Sequence, residues 1–233
     1  AYLSILMADY DSATPLYSFL PKHWDDPNRG QVPLAWGVNP NLIETYPDII
    51  AYLYETATDA DYFTADASAA GYMNPNRIKK EHLPLFVRHN RRFFRQTDMT
   101  IAPMVLDWDE PSAEVKDAFT QFSPDGFATI VMDLHQTGGQ SPKPHLWKGM
   151  PVTNLINSTC NYSTPDQTAD AMYASLKQKP VDAPGFFFFR IVWVGPSQVI
   201  QSIKRLREKH PELEVELVDP YTFFRLFEEN ASR

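Results

Sequence analysis

Short apolar runs alternate with amphipathic stretches along the whole chain, and this alternation limits the fold more than any other feature. Leu3–Asp9, Gln31–Val38, Tyr62–Thr64, Thr100–Leu106, Phe127–Met132, Val152–Ile156, Phe186–Val194 and Val215–Val218 read as strands. Leu42–Tyr54, Pro75–Gln96, Ser112–Phe122, Pro165–Gln178, Ser197–His210 and Phe223–Asn230 read as helices, and Thr14–Gly30 as a partly helical link. Ser112 is the expected N-cap of its helix. Strands that alternate with helices imply βα units and a parallel sheet. Seven or eight such units with near-continuously apolar strands predict a (β/α) barrel, imperfect or one strand short. An open doubly wound sheet is the alternative, although no glycine-rich nucleotide fingerprint follows the first strand.

The 233 residues, 43% of them hydrophobic, can bury one large core. A net charge of −8 argues against nucleic acid, whose phosphates need a positive footprint. No apolar run approaches the roughly 20 residues of a membrane span. A lone cysteine, Cys160, leaves no internal disulfide to form, and nothing in the sequence calls for a cofactor. Ala1–Met7 is already a core-strand pattern, which predicts a fragment of a longer multidomain protein whose N-terminal domain is missing. Residues 1–233 are expected to form a single domain.

The stretch Asp61–Pro75, DYFTADASAAGYMNP, carries the most local information. A strand opens it, and a run of small residues (Ala65, Ala67, Ser68, Ala69, Ala70, Gly71) then lets the backbone turn sharply and lets other groups approach. Pro75 suits the first position of a helix. A Gly-Tyr turn is thereby delivered to the strand's C-terminal end, where ligands of α/β proteins sit.

Ala69–Pro75 resembles the signature of the GxGYxYP family, whose members are classed as glycoside hydrolases by inference. Gly71, Tyr72 and Pro75 match that signature, whereas Ala69 and Asn74 replace its first glycine and second tyrosine. Met7–Ala13, Trp36–Pro40, Tyr52–Thr58 and Val218–Phe224 are similar to other stretches of the family, in the same order. The resemblance implies an oligo- or polysaccharide substrate and a secreted or periplasmic location. The departures at Ala69 and Asn74 also leave room for a barrel that binds carbohydrate without cleaving it.

Acidic residues gather where the strands end. Asp9, Asp11, Asp66, Asp107, Asp109, Glu110, Asp133 and Asp219 all lie at or just beyond predicted strand C-termini, which converge on one mouth of a barrel. Strict alternation puts Ile5, Met7, Asp9 and Asp11 on one face, Val105, Asp107 and Asp109 on another, and Val131, Asp133 and His135 on a third. Arg190 lines up with Phe186, Phe188 and Val192, so its buried charge should meet one of the carboxylates.

Glycoside hydrolysis uses two carboxyl groups, one protonated and one charged. The catalytic candidates are Asp109 paired with Asp9 or Asp133, with Asp11 and Asp107 beside them; Glu110 points to the opposite face. Trp36, Asn39, Tyr72, Trp108, His135 and Arg190 are the candidate substrate contacts, the aromatics as stacking platforms. Trp193 fits a core or helix-facing position better than a platform. A rival reading is a metal-dependent polysaccharide deacetylase: Asp9-Tyr10-Asp11 after the first strand resembles the start of that family's site, which would make His135 a candidate ligand. The paired histidines expected after the third strand are absent, and ASAAGYMNP stands in their place.

Overall fold

The computed structural model describes residues 1–104, 111–129, 144–160, 163–179 and 183–232. Its strands are β1 (Tyr2–Tyr10), β2 (Leu34–Val38), β3 (Asp61–Thr64), β4 (Ile101–Met104), β5 (Gly126–Thr129), β6 (His145–Trp147), β7 (Met150–Cys160), β8 (Phe186–Val192) and β9 (Glu216–Leu217). The helices are α1 (Ala13–Ser18), α2 (Leu20–Trp24), α3 (Leu42–Thr45), α4 (Pro47–Glu55), α5 (Leu83–Gln96), α6 (Ala113–Phe119), α7 (Pro165–Leu176), α8 (Pro196–Lys209) and α9 (Pro220–Ala231).

Seven parallel strands stand in the order β3-β2-β1-β8-β7-β5-β4 and curl into a nearly closed barrel. The seam falls between β3 and β4, where the Ala65 N–H donates to the Ile101 carbonyl at 3.0 Å. The expected imperfect barrel is thus the observed one. Val215–Val218, read as an eighth strand, contributes only the two residues of β9, beside Tyr2 and Leu3. On that side β1 pairs with β2 only from Leu6 onward, so its first residues leave an edge for β9 to take.

Two expected helices begin or break differently, both at proline. Leu42–Tyr54 divides into α3 and α4 because Pro47 disfavours helical backbone at Tyr46, which sits at φ −140°, ψ 56°. Pro75–Gln96 starts as two 3₁₀ turns, Pro75–Arg77 and Lys80–His82, and becomes α-helical only at Leu83. The loop expected over Gln136–Pro151 lies outside the described residues up to 143. Its remainder is a hairpin in which β6 returns antiparallel to β7 through Lys148 and Gly149, both left-handed (φ 52° and 89°). Ser112 caps α6 as expected, its Oγ accepting from the Val115 N–H at 3.2 Å. Among the described residues no helix is long and apolar enough to cross a membrane.

Side chains divide between two layers. Ile5, Met7, Trp36, Phe127 and Phe189 pack outward against the helices, whereas Leu6, Ala8, Ala35, Ile101, Ala128, Leu155 and Phe188 fill the barrel. Phe223 and Phe224 of α9 join the inner layer and close the end where the strands begin. The fit there is tight: a Cβ built on Gly126, the first residue of β5, would lie 2.5 Å from the Phe224 ring.

Candidate active site

The mouth opposite that floor is shaped by a break in β1. Ile5 and Met7 face the helices, so strict alternation would send Asp9 after them. Asp9 instead has φ 69°, and the pairing with β2 slips between Met7 and Tyr10. This bulge turns Asp9 into the mouth and sends Tyr10 outward, where its hydroxyl lies 2.6 Å from Nδ1 of the buried His23. The predicted common face of Ile5, Met7 and Asp9 is therefore wrong, and the cause is the bulge.

Arg190 rises from the inner face of β8 and is buried, with Nη2 2.5 Å from Asp9 Oδ1. The expected pairing of this cation with a mouth carboxylate is what the structure shows. Just beyond β8, Trp193 donates its indole N–H to the Asp9 carbonyl at 3.0 Å and stacks on Phe19, ring centroids 4.3 Å apart. Trp193, expected as a core or helix-facing aromatic, packs partly buried against the core and braces the bulge.

From β3 comes Asp66, which is completely buried. Its Oδ2 accepts from the Asp9 N–H at 2.7 Å and its Oδ1 from the Ala67 N–H at 2.8 Å. The space it fills exists because β2 carries Gly37; a Cβ there would stand 2.7 Å from Oδ2. The chain then passes through three left-handed non-glycine residues, Ala67, Ser68 and Ala69 (φ 52°, 74° and 76°), before Gly71 at φ 121°. Such backbone is disfavoured for L-residues, so its neighbours must hold it. Two asparagines do so. Asn39 accepts from the Gly71 N–H at 3.1 Å and donates to the Asp66 carbonyl at 3.3 Å. Asn90 of α5 accepts from the Ala70 N–H at 2.7 Å and donates to the Phe86 carbonyl at 2.9 Å.

The sequence profile of the GxGYxYP putative glycoside hydrolase C-terminal domain matches residues 1–228. The chain belongs to that family. The GxGYxYP domain also superposes on a putative hydrolase from Bacteroides thetaiotaomicron VPI-5482, with TM-score 0.76 and 19% identity, covering 98% of this chain and 45% of that one. It therefore spans less than half the length of the Bacteroides protein. A putative polysaccharide deacetylase from Mycobacterium smegmatis matches with TM-score 0.62 and 9% identity, over 98% of this chain and 90% of that one. A family 4 carbohydrate esterase from Streptomyces lividans, solved in complex with acetate, matches with TM-score 0.51 and 8% identity, over 95% of this chain and 95% of that one. At these identities the likeness is one of fold. No curated protein sequence matches the chain.

In the GxGYxYP domain the carboxylates of the mouth differ in their hold on protons. Burial, then the charges of Asp9 and Asp11, push the Asp66 carboxyl up to about 7. Burial, then the charge of Asp9, raises Asp11 to about 6. The Tyr72 phenol is pushed up by partial burial and then by the charges of Asp11, Asp9 and Asp66. Tyr72 is 65% exposed, on the rim.

Of the predicted site residues, Asp9, Asp11, Asn39, Tyr72 and Arg190 converge here. Asn39 is buried and its amide is committed to the backbone, so it shapes the loop and offers no hydrogen-bonding face to a ligand. Trp36 is not a platform: it is fully buried against Trp24 and Tyr10, and donates its indole N–H to Asp61 at 2.8 Å. Asp219 lies at the floor, where its Oδ1 caps α9 by accepting from the Thr222 N–H at 2.9 Å. Asp107, Trp108, Asp109, Glu110, Asp133 and His135 lie outside the described residues. Asn74 accepts from the Asn76 N–H at 3.0 Å and caps the first 3₁₀ turn.

Sequence reasoning missed Asn90. Its signal was a polar residue on the apolar stripe of α5, spaced with Phe86, Phe93 and Phe94. Among the described residues no three His, Cys, Asp or Glu side chains converge as metal ligands. The oxygens of Asp9 and Asp66 face a guanidinium and backbone N–H groups, donors that compete with a cation.

Proposed function

We propose that the mouth hydrolyses glycosidic bonds of an oligo- or polysaccharide, with Asp11 as proton donor. The observation that carries this reading is the contrast between two neighbouring carboxyls. Asp11 keeps its proton to about pH 6, whereas Asp9 forms an ion pair with Arg190. Environments that push two carboxyls apart in this way are how a site holds an acid and a charged group together. Asp9 supplies the charged carboxylate beside the donor, and Asp107, Asp109 and Asp133 are the further candidates for nucleophile or base. Tyr72 offers an exposed ring for sugar stacking, while Trp108 and His135 complete the proposed substrate contacts.

Removal of an acetyl group is the second reading. It is supported by the position of Asp9-Tyr10-Asp11 at the end of β1, in a fold shared with a polysaccharide deacetylase.

One experiment separates the two. Proton NMR of a polysaccharide panel incubated with the protein reports new reducing-end anomeric protons and free acetate in the same spectrum. Cleavage that falls about 10²–10⁴-fold in Asp11→Asn is the expected result, that range being typical of a lost general acid. Cleavage unchanged in the variant removes Asp11 from the role. Acetate without chain cleavage favours deacetylation.

A further inference from the structure

Asp66 has no place in the chemistry proposed above, yet among the described residues it is the most deeply placed acid of the mouth. Its carboxylate touches no ligand-accessible space; it is fully buried beneath Gly37. Both oxygens are spent on backbone N–H groups, and those two groups belong to the two loops that frame the mouth. One is Asp9, left-handed at φ 69° and the only turning point between the inner face of β1 and Asp11. The other is Ala67, the first residue of the left-handed run that leads to Tyr72. Each donor meets its own oxygen, so the two diverging N–H groups suit a short, forked acceptor. The glycine opposite completes the fit, because any larger residue at position 37 would collide with the carboxylate.

We propose that Asp66 is the positioning residue of the mouth: by accepting from Asp9 and Ala67 at once, it holds the β1 bulge open toward Arg190 and locks the Asp9–Asp11 and Ala67–Tyr72 loops into one rigid frame. This deepens the reading of the mouth as the reacting site and rests on it for its purpose, but its test makes no use of turnover. A protein that cleaves nothing can still report on the bulge.

The test is NMR of the Asp9 backbone amide in the wild type, Asp66→Ala and Gly37→Ala. In the wild type the Asp9 amide is protected from exchange, and its coupling to Hα reports left-handed backbone. In Asp66→Ala, protection of Asp9 and Ala67 should fall together by about tenfold, on the order of one intramolecular hydrogen bond. The Asp9 coupling should move to its extended value, and the Asp9 carboxyl ¹³C shift should change as its contact with Arg190 loosens. Gly37→Ala keeps the carboxylate but displaces it, and covers the case in which Asp66→Ala does not fold; it should move the same three signals in the same directions. A merely structural Asp66 would lower the melting temperature and leave the Asp9 signals alone. Asp9 coupling and protection unchanged in a folded variant would overturn the proposal, leaving Trp193 and Arg190 as the groups that hold the bulge.

Discussion

The two ends of this barrel are built on opposite principles. At the floor, Phe223 and Phe224 of α9 pack against Phe188 with centroids 5.7 and 5.6 Å away, and Phe224 lies flush on Gly126. At the mouth, a salt bridge, a buried acid and a run of left-handed residues take the place of apolar contact. Left-handed non-glycine backbone costs on the order of 1–3 kcal/mol per residue, and burying Asp66 adds to that cost. The floor's own polar features are dispersed: the Arg29–Asp61 ion pair at the start of β3 and single left-handed residues, Asp98 and Lys148, in the turns ahead of β4 and β7. One end stabilises the domain, and the other holds groups where they would not sit unaided.

That contrast can be broken first at the floor. Phe224→Ala should cost about 3–5 kcal/mol in urea unfolding, the usual loss for a buried aromatic, while the Asp9 amide signal stays in place. Equal damage at the mouth would show that the two ends are not independent. Gly126→Ala should cost about 1–3 kcal/mol, because the new methyl meets the Phe224 ring at 2.5 Å and the ring has little room to yield.

The mouth responds to pH instead. The folded-state carboxyl of Asp66 is raised to about 7, above its unfolded value near 3.9, so its stabilising share is complete at acid pH and is lost as pH rises through 7. Asp66→Asn mimics the protonated form. Between pH 5 and 8 the wild type should therefore lose on the order of 1–3 kcal/mol relative to that variant. His23 acts in the other direction: burial lowers it to about 4, so the stability it contributes is present above about 6.5 and is lost as pH falls toward 4. Comparing variant with wild type removes this opposing term. A flat difference across the range would mean that Asp66 is already charged at pH 5. Smallest of all, Tyr72→Ala should change stability by no more than about 0.5 kcal/mol, since the ring stands on the exposed rim. A larger loss would make Tyr72 part of the frame.

The barrel was legible in the sequence because apolar strands and amphipathic helices have different periods, and β1, β8 and α8 carry theirs cleanly. Boundaries were misread where proline intervened, at Pro47 and at Pro75, since an apolar stripe continues through a residue that the helix itself cannot. At the site, the pairing of Arg190 with a carboxylate followed from a cation set on an inward face. The position of Asp9 did not follow, because alternation presumes an unbroken strand and nothing in LMADYDS announces a bulge. Trp36 misled for a related reason. Its side chain faces the helix layer, and Asp61, at the start of β3, lies close enough to accept a hydrogen bond from its indole N–H. The roles of Asp66 and Asn90 depend on backbone donors from distant segments, which no local pattern encodes.

The proposed hydrolysis needs a protonated carboxyl held beside a charged one at the mouth. The most direct test is a ¹³C NMR titration of the Asp11 carboxyl in the intact domain. Burial and the neighbouring Asp9 predict a midpoint at about 6. The midpoint should fall in Asp9→Asn, where the neighbouring charge is gone. A midpoint near 3.9, the ordinary value for aspartate, would leave Asp11 without a proton to donate and would contradict the account.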